Sequence, residues 1–179
     1  MSESNAAPTV KPPFGPPDCP WKKVSADSSV PETALYQNGK LNGDEVYIGR
    51  VYDGNCLYVG TAIPKKGICN YIDKNSEVKT TSEYEILTVD CGDPLWFLDM
   101  EFENKNIFNA GVKEDGEILY IGRYVDSNEN TYYGWASKKT RSLYIPRDSK
   151  LGPQVLDEDF GVMIHRFLDR LCICPPCPF

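Results

Sequence analysis

The sequence predicts an all-β fold made of two tandem, pseudo-twofold-related antiparallel β repeats, followed by a short C-terminal helix. Three observations carry this. First, a stretch recurs: Lys40, Gly43, Tyr47, Ile48, Gly49 and Arg50 return as Lys113, Gly116, Tyr120, Ile121, Gly122 and Arg123, each 73 positions on. Second, each copy opens with a dipeptide that accepts positive φ, Asn42-Gly43 or Asp115-Gly116, as a tight hairpin turn requires. Third, the residues that follow alternate, with Val46, Ile48 and Arg50 on one side and Tyr47, Gly49 and Val51 on the other. A unit of about 70 residues occurring twice is longer than the short solenoid periods.

In chain order, residues 1–20 form a head crowded with Pro8, Pro12, Pro13, Pro16, Pro17 and Pro20. With few large apolar residues beside them, this segment is expected to be extended or disordered. The first repeat, residues 21–92, opens at Trp21, an apolar core anchor matched in the second copy by Trp96. Strands are expected at the organising stretch, around Cys56–Gly60 and Gly67–Ile72, and at residues 83–89. Gly49 and Gly122 fall in mid-strand, where glycine marks a bulge or close packing against the matching strand. The second repeat, residues 93–146, carries strands at 118–125, 131–137 and 141–145, and its Tyr144-Ile145 answers Tyr71-Ile72. Arg50 and Arg123 are expected to pair with carboxylates of the other copy.

Nothing at 156–160 answers the first copy's Glu83-Tyr-Glu-Ile-Leu87, so residues 147–179 read as a linker, an amphipathic helix and a cysteine-rich tail. Phe160, Met163, Ile164, Phe167, Leu168 and Leu171 recur at helical spacing, with Asp157, Glu158 and Asp159 where a helix N-terminus favours negative charge. The prolines of Cys172-Ile-Cys174-Pro-Pro-Cys177 end that pattern.

Composition narrows the function. A net charge of −7 argues against nucleic acid or an anionic lipid surface as the main ligand. No stretch approaches the roughly 20 apolar residues of a membrane span. The N-terminus has neither a basic nor an apolar leader region, so the protein is expected in the cytoplasm, with its seven cysteines as free thiols. His165 is the single histidine, two helical turns from Cys172 on the expected helix, too far for a Cys–His dyad. No Gly-rich phosphate loop or distinctive carboxylate spacing occurs, so no catalytic residue, cofactor or metal is expected. For Cys172, Cys174 and Cys177 three readings stand: acylation beside an amphipathic helix, a metal or redox role, and an inert tail.

The pattern Gly-(Asp/Glu)-x-(Val/Leu)-Tyr-Ile-Gly-Arg, twice per chain, resembles the DM-nine repeat family over about residues 21–146. That resemblance implies a small all-β tandem-repeat protein that is not an enzyme. It implies a carbohydrate-binding, lectin-like recognition module with a preference for mannose, acting in innate defence. The alternative it implies is a cytoplasmic interaction protein associated with vesicles or membranes, here through the C-terminal tail. A homodimer is compatible with both. Mannose-binding relatives carry an acidic residue shortly before the turn and a lysine in a Pro-Gly-Lys-like segment after the strand. In the repeat register these positions fall on Lys40 and Lys113, and on Thr61 and Trp135. The expected glycan site therefore uses Lys40, Asp44, Lys113 and Glu117 for hydroxyl hydrogen bonds across the junction of the copies, and Trp135 to stack on a sugar face.

Overall fold

The computed structural model describes residues 21–24, 29–88, 95–99, 102, 107–147, 154–156 and 160–165. The Pro-rich head, residues 166–171 of the expected helix, and Cys172, Cys174 and Cys177 lie outside them.

Fifteen strands and one 3-10 turn make up the described chain. The first unit contains β1 (Trp21–Val24), β2 (Lys40–Leu41), β3 (Asp44–Glu45), β4 (Tyr47–Asp53) and β5 (Cys56–Ile63). A 3-10 turn, Pro64–Lys66, leads from β5 into β6 (Ile68–Ile72), β7 (Val78–Thr81) and β8 (Tyr84–Leu87). The second unit contains β9 (Leu95–Asp99), β10 (Asn109–Val112), β11 (Ile118–Val125), β12 (Thr131–Ser137), β13 (Ser142–Ile145), β14 (Gln154–Leu156) and β15 (Gly161–His165). The fold is all-β, and its strand pairs are antiparallel.

The two units share one wiring. In the first, the order is β1-β8-β4-β5-β6-β7; in the second, β9-β15-β11-β12-β13-β14. Register makes the match residue by residue. Tyr47 faces Ala62 and Gly49 faces Gly60, as Tyr120 faces Ala136 and Gly122 faces Gly134. The mid-strand glycines are a matter of close packing. The β4–β5 ladder runs without a bulge, but a Cβ on Gly49 would stand 2.6 Å from Cys69 Sγ and one on Gly122 2.3 Å from Leu143 Cδ1. Cys69 and Leu143 hold equivalent places, each opposite the alanine of the neighbouring strand.

That register corrects three expectations. Tyr144 corresponds to Asn70, not Tyr71, because Tyr71 lies opposite Gly60 whereas Tyr144 lies opposite Trp135. Phe97, not Trp96, holds the place of Trp21, since Trp21 pairs with Leu87 and Phe97 with the equivalent Met163. The third concerns the C-terminal helix: residues 161–165 are strand β15, inserted between β11 and β9 as β8 is between β4 and β1. The second unit thus closes as the first does. Phe160, Val162 and Met163 are all buried, and an apolar run covered on both faces mimics helical spacing.

The units interlock. β10 follows the second unit's chain, yet it bridges β11 and β5, with Val112 opposite Leu57. The mirrored contact puts Gly39 of the first unit against Tyr133 Oη and Thr131 Cγ2 of β12. Between the units, the buried Thr61 hydroxyl donates to the Tyr133 carbonyl and accepts from the Tyr133 N–H, both at 2.8 Å. A core cluster runs through both, with Val46, Tyr58 and Ile86 joining Leu119, Ile121, Tyr133 and Trp135, and a second cluster around Phe102, Leu143 and Phe160 lies in the second unit. Arg50 pairs with Glu85 at 2.6 Å, its cross-strand neighbour in the same copy and not in the other one. The Trp21 ring lies under its guanidinium, 4.4 Å away.

Candidate functional site

The first hairpin is built by Asn42-Gly43. Both residues take positive φ, 51° and 85°, so Lys40 pairs with Glu45 and Leu41 with Asp44 across a two-residue turn. Asn130 of the second unit fixes the hairpin in place, its Oδ1 accepting the Asn42 N–H at 2.9 Å. The turn leaves Asp44 facing the end of β5, where the chain winds through Pro64, Lys65 and Lys66 before Gly67 reverses it at φ 64°.

Asp44 meets both lysines there. Lys65 Nζ lies 2.8 Å from Oδ1 and Lys66 Nζ 3.1 Å from Oδ2. These two ammonium groups hold the Asp44 carboxyl below its ordinary value. Geometry makes the cluster asymmetric: Asp44 is 12% exposed, whereas Lys65 is 78% and Lys66 51%. The cations can therefore swing into solvent while the carboxylate stays fixed. Beside them is a hollow of about 500 Å³, lined among others by Ser29, Asp44, Glu45, Tyr47, Pro64 and Lys65. Tyr47 donates its hydroxyl to Glu45 at 3.4 Å and packs against the half-exposed Tyr36 ring at 5.3 Å. Burial, with Glu45 beside it, pushes the Tyr47 phenol up, so it remains a neutral donor.

The second unit uses the corresponding positions differently. Lys113 Nζ bonds Glu117 Oε2 at 2.8 Å, and the Ser137 hydroxyl donates to Glu117 Oε1. Burial raises the Glu117 carboxyl, but the bonds from Lys113 and Ser137 outweigh it and leave the group below its ordinary value. The same ammonium lies 4.5 Å from the centre of the Trp135 ring. Trp135 stacks on Tyr144 at 3.7 Å and donates Nε1–H to the Ile72 carbonyl at 3.0 Å.

Of the residues expected to bind, Lys113, Glu117 and Trp135 thus come together, and Asp44 forms its own cluster with Lys65 and Lys66. Lys40 is exposed at the edge of the first hairpin. Stacking of Trp135 on a sugar face is overturned: the residue is 2% exposed, with Tyr144 against its ring and Lys113 over it. Sequence reasoning missed Lys65, Lys66 and Tyr47. The signal for the two lysines was the Pro64-Lys-Lys-Gly67 segment, which begins three residues beyond Thr61.

Among the described residues no cluster of three or more His, Cys, Asp or Glu could hold a metal ion, and no helix is long and apolar enough to cross a membrane. Cys56 and Cys69 are buried free thiols, and burial pushes the Cys69 thiol far up, away from the reactive thiolate.

Comparison with known proteins places the fold. No curated protein matches the chain. Among solved structures, the crystal structure of the nematode sperm cell motility protein MFP2B is similar, with a TM-score of 0.60 at 14% identity. The superposition covers 88% of this chain and 47% of that one, so this chain spans about half the length of that neighbour. A likeness at this identity concerns the fold alone. A family profile described as the DM9 repeat matches residues 40–151, from the first hairpin through the last strand of the second copy's β11–β13 meander. By that match over most of its length, the chain belongs to the DM9 repeat family.

Proposed function

We propose that this protein is a carbohydrate-binding recognition module without catalytic activity, and that its ligand site is the hollow beside the first hairpin. The observation that carries this reading is the Asp44 carboxylate between Lys65 and Lys66 at the rim of that hollow. A fixed acceptor flanked by mobile donors suits adjacent hydroxyls, since one can donate to Asp44 while the next accepts from a lysine. Glu45 and the Tyr47 hydroxyl add a further acceptor and donor. Most small-ligand sites have this form, a concavity with a few convergent polar groups. Family membership supports the reading: the positions implied for mannose-binding relatives carry Lys40 and Thr61 here, but Asp44 and Lys65 supply a carboxylate and an ammonium close by. A cytoplasmic place and a part in defence go with the same reading.

A glycan array followed by calorimetric titration of a hit tests it. Asp44→Asn and Lys65→Ala should each weaken binding, by roughly tenfold or more where the hydrogen bond to a charged group is lost. Binding should change little with salt, because a neutral sugar neutralises no charge. An array without hits, or binding indifferent to both substitutions, would falsify the reading. A second reading is an interaction protein of the cytoplasm, recruited to vesicles through its C-terminal cysteines. Acyl exchange on Cys172, Cys174 and Cys177 would favour it, and unmodified thiols in cells would set it aside.

A further inference from the structure

We infer that the chain carries a single glycan site, on the first unit, and that Lys113 closes the equivalent position on the second unit from within. The inference rests on the carbohydrate reading above and concerns its stoichiometry. Two copies of one fold invite the expectation of two sites. The register shows why the copies part company. Trp135 corresponds to Thr61, Ser137 to Ile63 and Tyr144 to Asn70 in strand register, and Glu117 to Asp44 by the spacing of 73 residues.

Each exchange acts in the same direction. Trp135 and Tyr144 form a stacked pair over which the Lys113 ammonium sits, held by ring electrons and by Glu117 together. Ser137 takes the other oxygen of Glu117, so both carboxylate oxygens are engaged inside the unit. In the first unit, Thr61 has no ring to offer and is spent on the Tyr133 backbone. Lys40, the counterpart of Lys113, therefore stays exposed. Ile63 has no hydroxyl, and Asn70 accepts from Thr80 instead. Asp44 is left to the lysines of the 3-10 turn, which face solvent. Side-chain exposure measures the contrast: 23% for Lys113 against 78% for Lys65. A lysine already bound to a carboxylate and two rings occupies the place a sugar hydroxyl would need.

Two measurements on the full chain test this. Titration with mannose should saturate at one molecule per chain, with binding lost in Asp44→Asn and kept in Glu117→Gln. Saturation at two, or loss in Glu117→Gln with retention in Asp44→Asn, overturns the inference. Limited amine acylation of the wild-type protein, read by peptide mass spectrometry, needs neither variant folding nor sugar binding. Lys65 and Lys66 should be modified at a dose that leaves Lys113 intact. If mannose does not bind at all, the carbohydrate reading fails with that probe, and the labelling alone decides whether Lys113 is held. Labelling of Lys113 as readily as Lys65 overturns the closure.

Discussion

At the scale of single residues, the most consequential side chain outside the site is Thr61. Its hydroxyl bonds both polar groups of the Tyr133 backbone at the buried crossing of the units. Thr61→Val keeps the shape and removes both bonds. Chemical denaturation should show a loss of about 1–3 kcal/mol for each group left without a partner. An unchanged midpoint would mean that the crossing is not dry. Gly60 and Gly134 hold equivalent places, each crowded by the next strand of its own unit. A Cβ on Gly60 would lie 2.2 Å from the Asn70 carbonyl oxygen and one on Gly134 2.0 Å from that of Tyr144, so either alanine must push a backbone aside. Residue identity at these points was legible, because glycine in mid-strand has few explanations. The ligand cluster was less so. Asp44 is visible in the repeat, but Lys65 lies on a turn that internal alignment ignores. Trp135 looked like a sugar platform only because a sequence does not display what stacks on it.

At the scale of elements, hairpins read well and the last strand did not. Asn-Gly specifies its turn through backbone sterics alone, whereas β15 depends on neighbours far away in the chain. Phe160, Met163 and Ile164 fit a helix as well as a doubly covered strand, and only the slot between β9 and β11 decides. That slot predicts a core role for the segment. Phe160 is 1% exposed and packs edge-on against Phe102 at 5.9 Å. Phe160→Ala should therefore cost about 3–5 kcal/mol in denaturant unfolding, where a membrane-facing residue would cost almost nothing in buffer. The β10–β11 hairpin makes a separate prediction in pH. The Glu117 carboxyl is depressed on folding from its ordinary 4.5, so its bonds to Lys113 and Ser137 add stability above that value and lose it as pH falls through the folded value. Glu117→Gln should melt lower than wild type at neutral pH, by about 2–4 °C for each kcal/mol lost. The gap should narrow on acidification below pH 4.5. A gap that stays constant to low pH would show that the charge on Glu117 contributes nothing.

At the scale of the whole molecule, duplication was plain from the constant spacing, and interlocking was not. A repeat in the sequence is compatible with two beads on a string, each with its own core. What distinguishes the alternatives is where the polar and apolar contacts cross. Here β10 lies on β5, Gly39 lies against Tyr133, Thr61 holds Tyr133, and Trp135 reaches the Ile72 carbonyl. The central cluster mixes residues of both units, and the second unit's own cluster around Phe102, Leu143 and Phe160 is met by Leu41 of the first. Fragments 21–92 and 93–165, expressed separately, should each lack a cooperative melting transition and bind a dye for exposed apolar surface. Mixed at equal concentration they should recover the β-sheet circular dichroism and a single transition, at a midpoint that rises with concentration because assembly has become bimolecular. Independent cooperative melting of either fragment would show that the crossings only decorate two finished domains. Failure of both to recover on mixing would place the missing constraint in the connection between them, since an intact chain raises the effective concentration of one half for the other.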